Sequence, residues 1–315
     1  MILRVLQSVA VVFCAATLAF VLLHLAPGDA ATALGEGIAP ETRAAIRAQY
    51  GLDEPLATQY GRWLSTLLRG DLGYSRDQHR PVAAVLGDAL PRSLFLMGCA
   101  LSVSLVGGML IGAWQGARAG SRRDRTTSTA LLVLYSLPEF WLALVLLVVF
   151  SYQLGWLPAT GITSETYDYM TPGDQLWDRL CHLVLPLVSL SLVGVSVFAR
   201  YQRDAMQESM AQAFVRTARA KGLPEAGVRR QAWRNALLPV ITVTGLMLPA
   251  LITGAVFVER VFSWPGMGFA MIRAIEARDY QVVSAGVILG SAVTAVGAAL
   301  ADIARDIADP RLRSQ

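Results

Sequence analysis

The side chains that could carry out catalysis or bind a metal are few in this sequence and lie far apart. Histidine and cysteine occur three times each: His24, His79, His182, Cys14, Cys99 and Cys181. Their spacing fits neither a metal site nor a disulfide framework. The sequence also contains no GxxxxGK[ST] phosphate loop, no HExxH and no GxSxG. We therefore expect a protein that performs no catalysis, hydrolyses no ATP itself and holds no metal or cofactor.

Glu139 is the one acidic side chain whose position in the sequence suggests a role. It follows Pro138 inside an apolar run from about 129 to 152, near the middle of a predicted membrane span. An acidic side chain at that depth costs roughly 2.5–3.5 kcal/mol even on lenient insertion scales, so it should face water or a partner. Two interpretations stay open. Glu139 lines a translocation path and meets a cationic or amino group of a solute, or it is kept neutral or bonded to a neighbouring helix.

The elements that must position these side chains are membrane helices. The chain has 315 residues, of which 54% are hydrophobic and 16% charged, and its mean hydropathy is +0.48; soluble domains are about 25% charged. Six apolar runs predict transmembrane helices at about 5–25, 93–115, 129–152, 183–199, 240–261 and 282–304. The first run is too long for the apolar part of a signal peptide, so we expect it to be retained. The fold class is an all-α membrane protein.

Four patterns add detail to these spans. The polar segment 30–92 carries apolar residues at helical spacing and predicts a helical insert outside the cytoplasm after the first span. Glycines at four-residue spacing (Gly108, Gly112 and Gly116) predict close approach of another helix. Pro138 predicts a kink in the third span. Pro265, Gly266 and Gly268 predict a structured turn that needs special backbone angles.

The polar loop 200–239 is the longest interruption in the second half of the chain. It carries eight Lys and Arg residues, and its apolar residues at positions 206, 210, 213, 214 and 218 lie on one face of a predicted amphipathic helix. Gly222-Leu223-Pro224 should end that helix, and a second short helix from Glu225 to about Ala236 should follow. The cations either only keep the loop in the cytoplasm or belong to a docking site for a cytosolic partner.

The segment RTARAKGL, followed after a spacer by RNALLP, resembles the cytoplasmic loop of ABC importer permeases of the dipeptide/oligopeptide/nickel branch. The matching positions are Arg216, Thr217, Ala218, Ala220, Lys221, Gly222, Asn235, Leu238 and Pro239. This chain has Arg216-Thr217-Ala218 where the wider superfamily has Glu-Ala-Ala. Further resemblances lie at 50–53, 70–73, 258–268 and in the terminal Asp309-Pro310-Arg311. In that family the loop is the coupling helix that docks on an ATPase subunit.

The resemblance implies a type I ABC importer permease with six transmembrane helices. The implied division is 1–92 for the first helix and the extracytoplasmic segment, 93–305 for the permease domain and 306–315 for a cytoplasmic tail. The implied ATPase-coupling residues are Met210, Phe214, Arg216, Thr217, Ala218, Ala220, Lys221 and Gly222. The implied partners are a second permease, two cytosolic ATPases that bind ATP and Mg, and an extracytoplasmic solute-binding protein. The solute would be a di- or oligopeptide, or alternatively nickel or a metal chelate.

The positive charges follow membrane topology. Sixteen Lys and Arg residues lie on the side of the loop 200–239, against four in the short loops of the opposite side. The positive-inside rule therefore places both termini and the loop 200–239 in the cytoplasm, and no nucleic-acid partner is needed to explain the net charge of +4. The resemblance implies that the membrane is a bacterial inner membrane. A proton-driven secondary transporter with Glu139 as its titrating group is a weaker alternative, because no inverted repeat is detectable. An intramembrane enzyme is weaker still, because no catalytic set of residues is present.

Overall fold

The structure, a computed structural model, describes residues 2–25 and 54–308 and is mostly helical there. The helices are α1 (Ile2–Leu25), α2 (Leu56–Leu68), α3 (Val82–Gly116), α4 (Arg122–Ser136), α5 (Glu139–Leu146), α6 (Pro172–Ala211), α7 (Ala213–Ala220), α8 (Glu225–Gly254), α9 (Val256–Val261), α10 (Met267–Glu276) and α11 (Tyr280–Ala308). A π-helical segment, Leu147–Gln153, follows α5, and a 3-10 turn spans Tyr167–Tyr169. The resemblances at 50–53 and 309–311 lie outside the described residues.

Three helices of the described residues are long and apolar enough to cross a membrane: α3, α6 and the Tyr280–Ala299 part of α11. The pair formed by α4 and the 139–153 segment makes a fourth if it counts as one broken span. α1 and α8 occupy the positions of the first and fifth predicted spans. The number of six spans remains a prediction.

Several helices extend well beyond the predicted spans. α6 begins at Pro172 rather than near 183 and continues to Ala211 rather than 199. Its start has a local cause, because the Thr171 side chain accepts a hydrogen bond from the Asp174 backbone and Pro172 occupies the first turn. Hydropathy marks only the apolar part of such a helix, so polar turns at its ends are missed.

The third predicted span is broken at the proline. α4 ends at Ser136, Leu137 and Pro138 are extended, and α5 begins at Glu139. The two segments meet at 100°. A residue before proline is biased away from the helical region, and Leu137 follows that preference with ψ 134°. The prediction that Pro138 disturbs this span is confirmed, and the disturbance is a sharp break.

By its contacts the chain divides into two compact units, and the first contains Met1–Leu90 and Ala270–Ala295. In it, α2 packs on α1, with the Phe20 ring centroid 5.1 Å from that of Tyr60 and 5.4 Å from that of Trp63. The Thr17 and Tyr60 hydroxyls are 2.7 Å apart. A helix is therefore present where the sequence predicted one after the first span, and the half-buried rings of two of its aromatic residues pack against α1.

The first unit also contains a small two-stranded antiparallel sheet that the all-α prediction missed. Its strands are β1 (Tyr74–Ser75) and β2 (Arg80–Pro81). The buried Asp279 carboxylate holds its turn, because Oδ2 accepts hydrogen bonds from the Ser75 hydroxyl at 2.6 Å and from the Arg76 backbone N–H at 2.9 Å. Strands of two residues leave no periodic signal in a sequence. The contacts of Ser75 with Asp279 and of Tyr74 with Gln281, 204 and 207 positions away, could not be predicted from it.

The second unit contains Pro91–Phe269 and Val296–Gln315, and the glycine stripe of α3 packs there against α6. A Cβ atom at Gly112 would lie 2.9 Å from the Arg203 backbone nitrogen and in overlap with the Ala199 carbonyl oxygen. A Cβ atom at Gly116 would lie 2.6 Å from the Cβ of Met206. The prediction of close helix approach is confirmed.

Candidate coupling surface

The loop between α6 and α8 folds as the short helix α7 with two sharp boundaries. α6 ends at Ala211, Gln212 is extended (φ −68°, ψ 157°) and α7 begins at Ala213. The expected single amphipathic helix through Met206 and Ala218 is therefore wrong. Gln212 accepts a hydrogen bond from the Val215 N–H with its carbonyl oxygen at 3.2 Å, and the change of direction lets Val215 become fully buried.

The far end of α7 is closed by Gly222 in a left-handed conformation (φ 75°). The Gly222 N–H donates to the Arg219 carbonyl at 2.9 Å, and the Leu223 N–H donates to the Ala218 carbonyl at 3.2 Å. This pair of bonds is the Schellman motif, which favours glycine at this position. The predicted helix stop is confirmed. The predicted end of the next helix near Ala236 is wrong, because α8 continues without a break into the fifth predicted span.

The apolar face of this loop is largely covered by the chain itself. Val215 and Ala218 of α7 form a buried cluster with Val228 of α8, and Phe214 packs against it. A second cluster joins α6 and α8 through Met206, Ala232 and Ala236, with Met210 and Phe214 half-buried at its edge. The Ser209 hydroxyl donates to the Ala232 carbonyl at 2.8 Å and fixes α6 to α8. Burial of this face, and not a free apolar stripe, holds α7 in place.

The outward side of α7 is polar and basic. Five of the eight candidate residues are exposed, and we call them the α7 surface: Arg216, Thr217, Ala220, Lys221 and Gly222. Of the other three, Met210 and Phe214 are half-buried and Ala218 is buried. A partner that contacts this loop would therefore meet cations and small side chains.

A salt bridge crosses the turn between α7 and α8. Arg219 donates from Nε and Nη2 to the two carboxylate oxygens of Glu225, at 2.8 Å and 3.3 Å. The hydrogen bond from Arg219 holds the pKa of Glu225 below its usual value. Because both side chains are about half exposed, solvent screens the pair and its contribution to stability is small.

The loop beside α7 is fixed by an ion pair that the sequence analysis missed. Asp124, which is 2% exposed, accepts from Arg203 Nε at 2.7 Å and Nη2 at 3.0 Å, and also from the Gly120 N–H at 2.9 Å. Ser121 caps α4 by accepting from the Asp124 N–H at 3.1 Å. The Ser-x-x-Asp spacing ahead of an apolar run is a helix-start signal that could have indicated this cap.

Glu139 lies in the first turn of α5, directly after the break at Pro138, and is half-buried. Within the described residues, no side chain or backbone N–H donates a hydrogen bond to its carboxylate. Phe140, the next residue, packs against Phe257 of α9 with ring centroids 6.2 Å apart. The carboxylate thus stands at a broken helix, without a protein partner among the residues that the structure describes.

Glu259 is a further buried carboxylate, and its surroundings were not predicted from the sequence. It is 1% exposed, and it accepts from the Ser93 hydroxyl at 2.5 Å, the Gly268 N–H at 2.7 Å and the Phe269 N–H at 3.1 Å. A Cβ atom at Gly266 or Gly268 would lie 2.5 Å or 3.0 Å from a Glu259 carboxylate oxygen. The predicted turn is present, but its positive φ angle is at Ser263 (φ 49°) and not at these two glycines. They are needed because the carboxylate approaches the backbone closely.

The structure brings no metal ligands together in the described ranges. No group of three or more His, Cys, Asp or Glu side chains there could hold a metal ion. The features that remain as candidates are therefore the α7 surface, Glu139, which has no partner among the described residues, and the buried Glu259.

Comparison with known proteins gives matches along nearly the whole chain. The family model described as binding-protein-dependent transport system inner membrane component matches residues 108–314, and the model for the N-terminal part of such membrane components matches 1–97. A putative peptide permease protein of Brucella ovis is 38% identical over 98% of this chain and 97% of its own length. The oligopeptide transport system permease protein AppB of Bacillus subtilis is 34% identical over the same shares. The di/tripeptide transport system permease protein DppB of Pseudomonas aeruginosa is 38% identical over 95% of this chain and 94% of its own.

Proposed function

Because this chain belongs to the family of binding-protein-dependent transport system inner membrane components, we propose that it is the permease subunit of an ATP-driven importer for di- and oligopeptides. The observation that carries this proposal is similarity over almost the full length to three proteins named for peptide transport. Those names favour peptides over nickel or a metal chelate. The chain is then a non-catalytic, multi-pass membrane subunit.

In the detailed form of this proposal, the chain has six transmembrane spans: α1, α3, the pair α4 and α5, α6, α8 and α11. Both termini and the loop 200–239 lie in the cytoplasm, and residues 30–92 form an insert on the outer side. The domain division at 92/93 and 305/306 belongs to the same proposal. The partners are a second permease, an extracytoplasmic binding protein that delivers the solute, and two cytosolic ATPases that bind ATP and Mg.

In this proposal the α7 surface docks on an ATPase subunit and transmits its movement to the membrane helices. Closure of the ATPase pair on ATP draws the two permeases' α7 helices together, and the pathway opens outward. The binding energy of ATP can shift the permease only as far as it differs between the inward-open and outward-open states. The support for this role is that α7 has a folded base, buried against α8, and an exposed basic face.

Charge reversal on the α7 surface tests the docking role. We expect the double variant Arg216→Glu/Lys221→Glu to lower peptide-driven ATP hydrolysis and peptide uptake at least about tenfold, because two repelled charges at an interface cost several kcal/mol. Both side chains are exposed, so the chain should still insert and fold. The measurement is uptake of a labelled dipeptide and ATPase rate in proteoliposomes that contain the complete transporter.

The matched control is Arg230→Glu/Arg234→Glu, which makes the same charge change on exposed positions of α8 outside the α7 surface. It should leave uptake within about twofold of the parent. An equal loss of uptake in both variants would mean that uptake depends on the total charge of the loop and not on the α7 surface. Uptake at the rate of the parent protein in the Arg216→Glu/Lys221→Glu variant would contradict the docking role of the α7 surface.

We also propose that Glu139 lines the translocation path and meets the cationic amino group of a passing peptide. Its half-buried carboxylate is unpaired in the described part of the chain and stands where the third span is broken. A carboxylate inside a membrane protein normally has a partner, and the solute supplies one during transport.

Substitution at Glu139 separates a path residue from a packing residue. We expect Glu139→Gln to lower uptake of a dipeptide with a free amino group about tenfold, because a charge-assisted hydrogen bond is lost. Uptake of the same peptide with an acetylated amino group should change much less, and Glu139→Asp should retain most of the activity. If both peptides are affected equally, Glu139 acts in packing or assembly instead.

A further inference from the structure

A basic pocket lies between the loop 117–121, α6 and α7, all within the second unit. It is open to the surface and has a volume of about 680 Å³. It is lined by residues 116–121, by Arg123 of α4, by Met210 of α6 and by Arg219 of α7. Three arginines around one recess indicate a ligand with negative charge and several acceptor oxygens.

The pocket keeps an excess of positive charge after its neighbouring carboxylates are counted. Asp124 is buried away from it in the ion pair with Arg203, and Glu225 neutralises Arg219. No ion pair to Arg118 or Arg123 is found among the residues that the structure describes. These two side chains carry the unbalanced charge, and none of the described residues that line the pocket is acidic.

An apolar stripe on α3 leads directly to this pocket. Val103, Val106, Leu110 and Trp114 lie at spacings of three and four residues and are 45%, 53%, 59% and 36% exposed. Arg118, one turn further, stacks its guanidinium on the Trp114 ring at 5.3 Å from the centroid. α3 is one of the helices apolar enough to cross a membrane, and tryptophan followed by arginine is typical of the border between acyl chains and headgroups.

We propose that this pocket binds the headgroup of an anionic phospholipid, whose acyl chains lie along the exposed stripe of α3. A phosphodiester fits both features, because its oxygens accept from the guanidinium groups of Arg118 and Arg123 while its chains cover the apolar side chains. Free phosphate would satisfy only the basic half of the site, and an acidic protein segment would leave the stripe without a role. The proposal depends on the proposed function only for the orientation that puts the site in the cytoplasmic leaflet.

The proposed lipid site is connected to α7, because Arg219 of α7 lines the pocket. The same side chain donates a hydrogen bond to Glu225 of α8. A headgroup in the pocket would therefore contact the loop 117–121 and α7 together. Lipid composition would then influence how firmly α7 is held for docking.

The test measures lipid binding to the full-length chain purified in neutral detergent, without any transport assay. Native mass spectrometry with added phosphatidylglycerol should find one tightly retained lipid, at least about tenfold tighter than phosphatidylcholine. The variant Arg118→Gln/Arg123→Gln should lose that preference about tenfold. Arg122→Gln/Arg125→Gln removes the same charge from exposed positions on the same segment that do not line the pocket, and should retain it.

Each alternative outcome overturns the proposal in its own way. Equal loss in both double variants would indicate diffuse attraction to a basic surface. Full competition by inorganic phosphate, with no effect of acyl chains, would assign the pocket to a soluble anion. Unchanged lipid binding in the pocket variant, combined with loss of a purified ATPase partner, would assign it to an acidic protein segment. Because lipid retention is read on the isolated chain, a failure of the importer assignment would not alter these results.

Discussion

Gly112→Val is expected to prevent stable folding of the chain, whereas Gly98→Val on the same helix should be tolerated. A side chain at 112 would overlap the Ala199 carbonyl and lie 2.8 Å from the Cβ of Gln202, so α3 and α6 would have to separate. These obstacles are backbone and Cβ atoms that cannot rotate away. Overpacking usually costs about 1–3 kcal/mol where side chains can adjust, and here we expect at least the upper end of that range.

The comparison with Gly98 isolates packing from helix propensity. Nothing lies within 4 Å of a Cβ atom built at Gly98, and both changes place the same residue on α3. The measurement is the yield of monodisperse protein in mild detergent, together with its melting temperature. Similar yields for the two variants would mean that α3 and α6 do not meet through this glycine stripe.

Removal of the Glu259 carboxylate is expected to lower the stability of the chain by an amount similar to that of Gly112→Val. In Glu259→Ala, the Ser93 hydroxyl and the Gly268 and Phe269 N–H groups lose their acceptor in a buried site. A buried donor left unsatisfied costs about 1–3 kcal/mol, so three of them amount to about 3–9 kcal/mol. We expect a large fall in melting temperature and loss of peptide uptake by the complete transporter.

Two further variants identify the cause of that loss. Glu259→Gln keeps an oxygen that can accept from both backbone N–H groups, so its effect should be clearly smaller than that of alanine. Glu208→Ala removes an exposed carboxylate of α6 and should change stability by less than about 0.5 kcal/mol. If alanine at 259 behaves like alanine at 208, the network around Ser93 does not stabilise the turn.

The features that the sequence predicts well are those that depend on local chemistry. Apolar runs mark the membrane helices α3, α6 and α11, the break at Pro138 follows from proline geometry, and Gly222 ends α7 because it adopts a positive φ angle. The glycine stripe of α3 belongs to the same group, since four-residue spacing defines one helix face.

The features that could not be predicted from the sequence depend on contacts between residues that lie apart in the chain. Gln212 breaks a helix without being glycine or proline, because Val215 gains burial against Val228. Gly266 and Gly268 lie close to a carboxylate that also binds Ser93, a residue 166 positions before Glu259. The apolar face formed by positions 206–218 looked free in the sequence, because its cover comes from Val228, Ala232 and Ala236 of α8. No window of local sequence contains this information.

The way in which α7 is attached gives it the mechanics of a lever. It joins α6 through the single extended residue Gln212, but it is fastened to α8 by the buried Val215, Ala218 and Val228 and by the Arg219 salt bridge. α8 is one unbroken helix of 30 residues, roughly 45 Å long at 1.5 Å per residue. A tilt of about 10° imposed through α7 at its near end would sweep its far end by about 8 Å. If α7 docks as proposed, such a movement would reach the fourth predicted span as well as the fifth, because the Ser209–Ala232 hydrogen bond and the Met206 cluster fix α6 to α8.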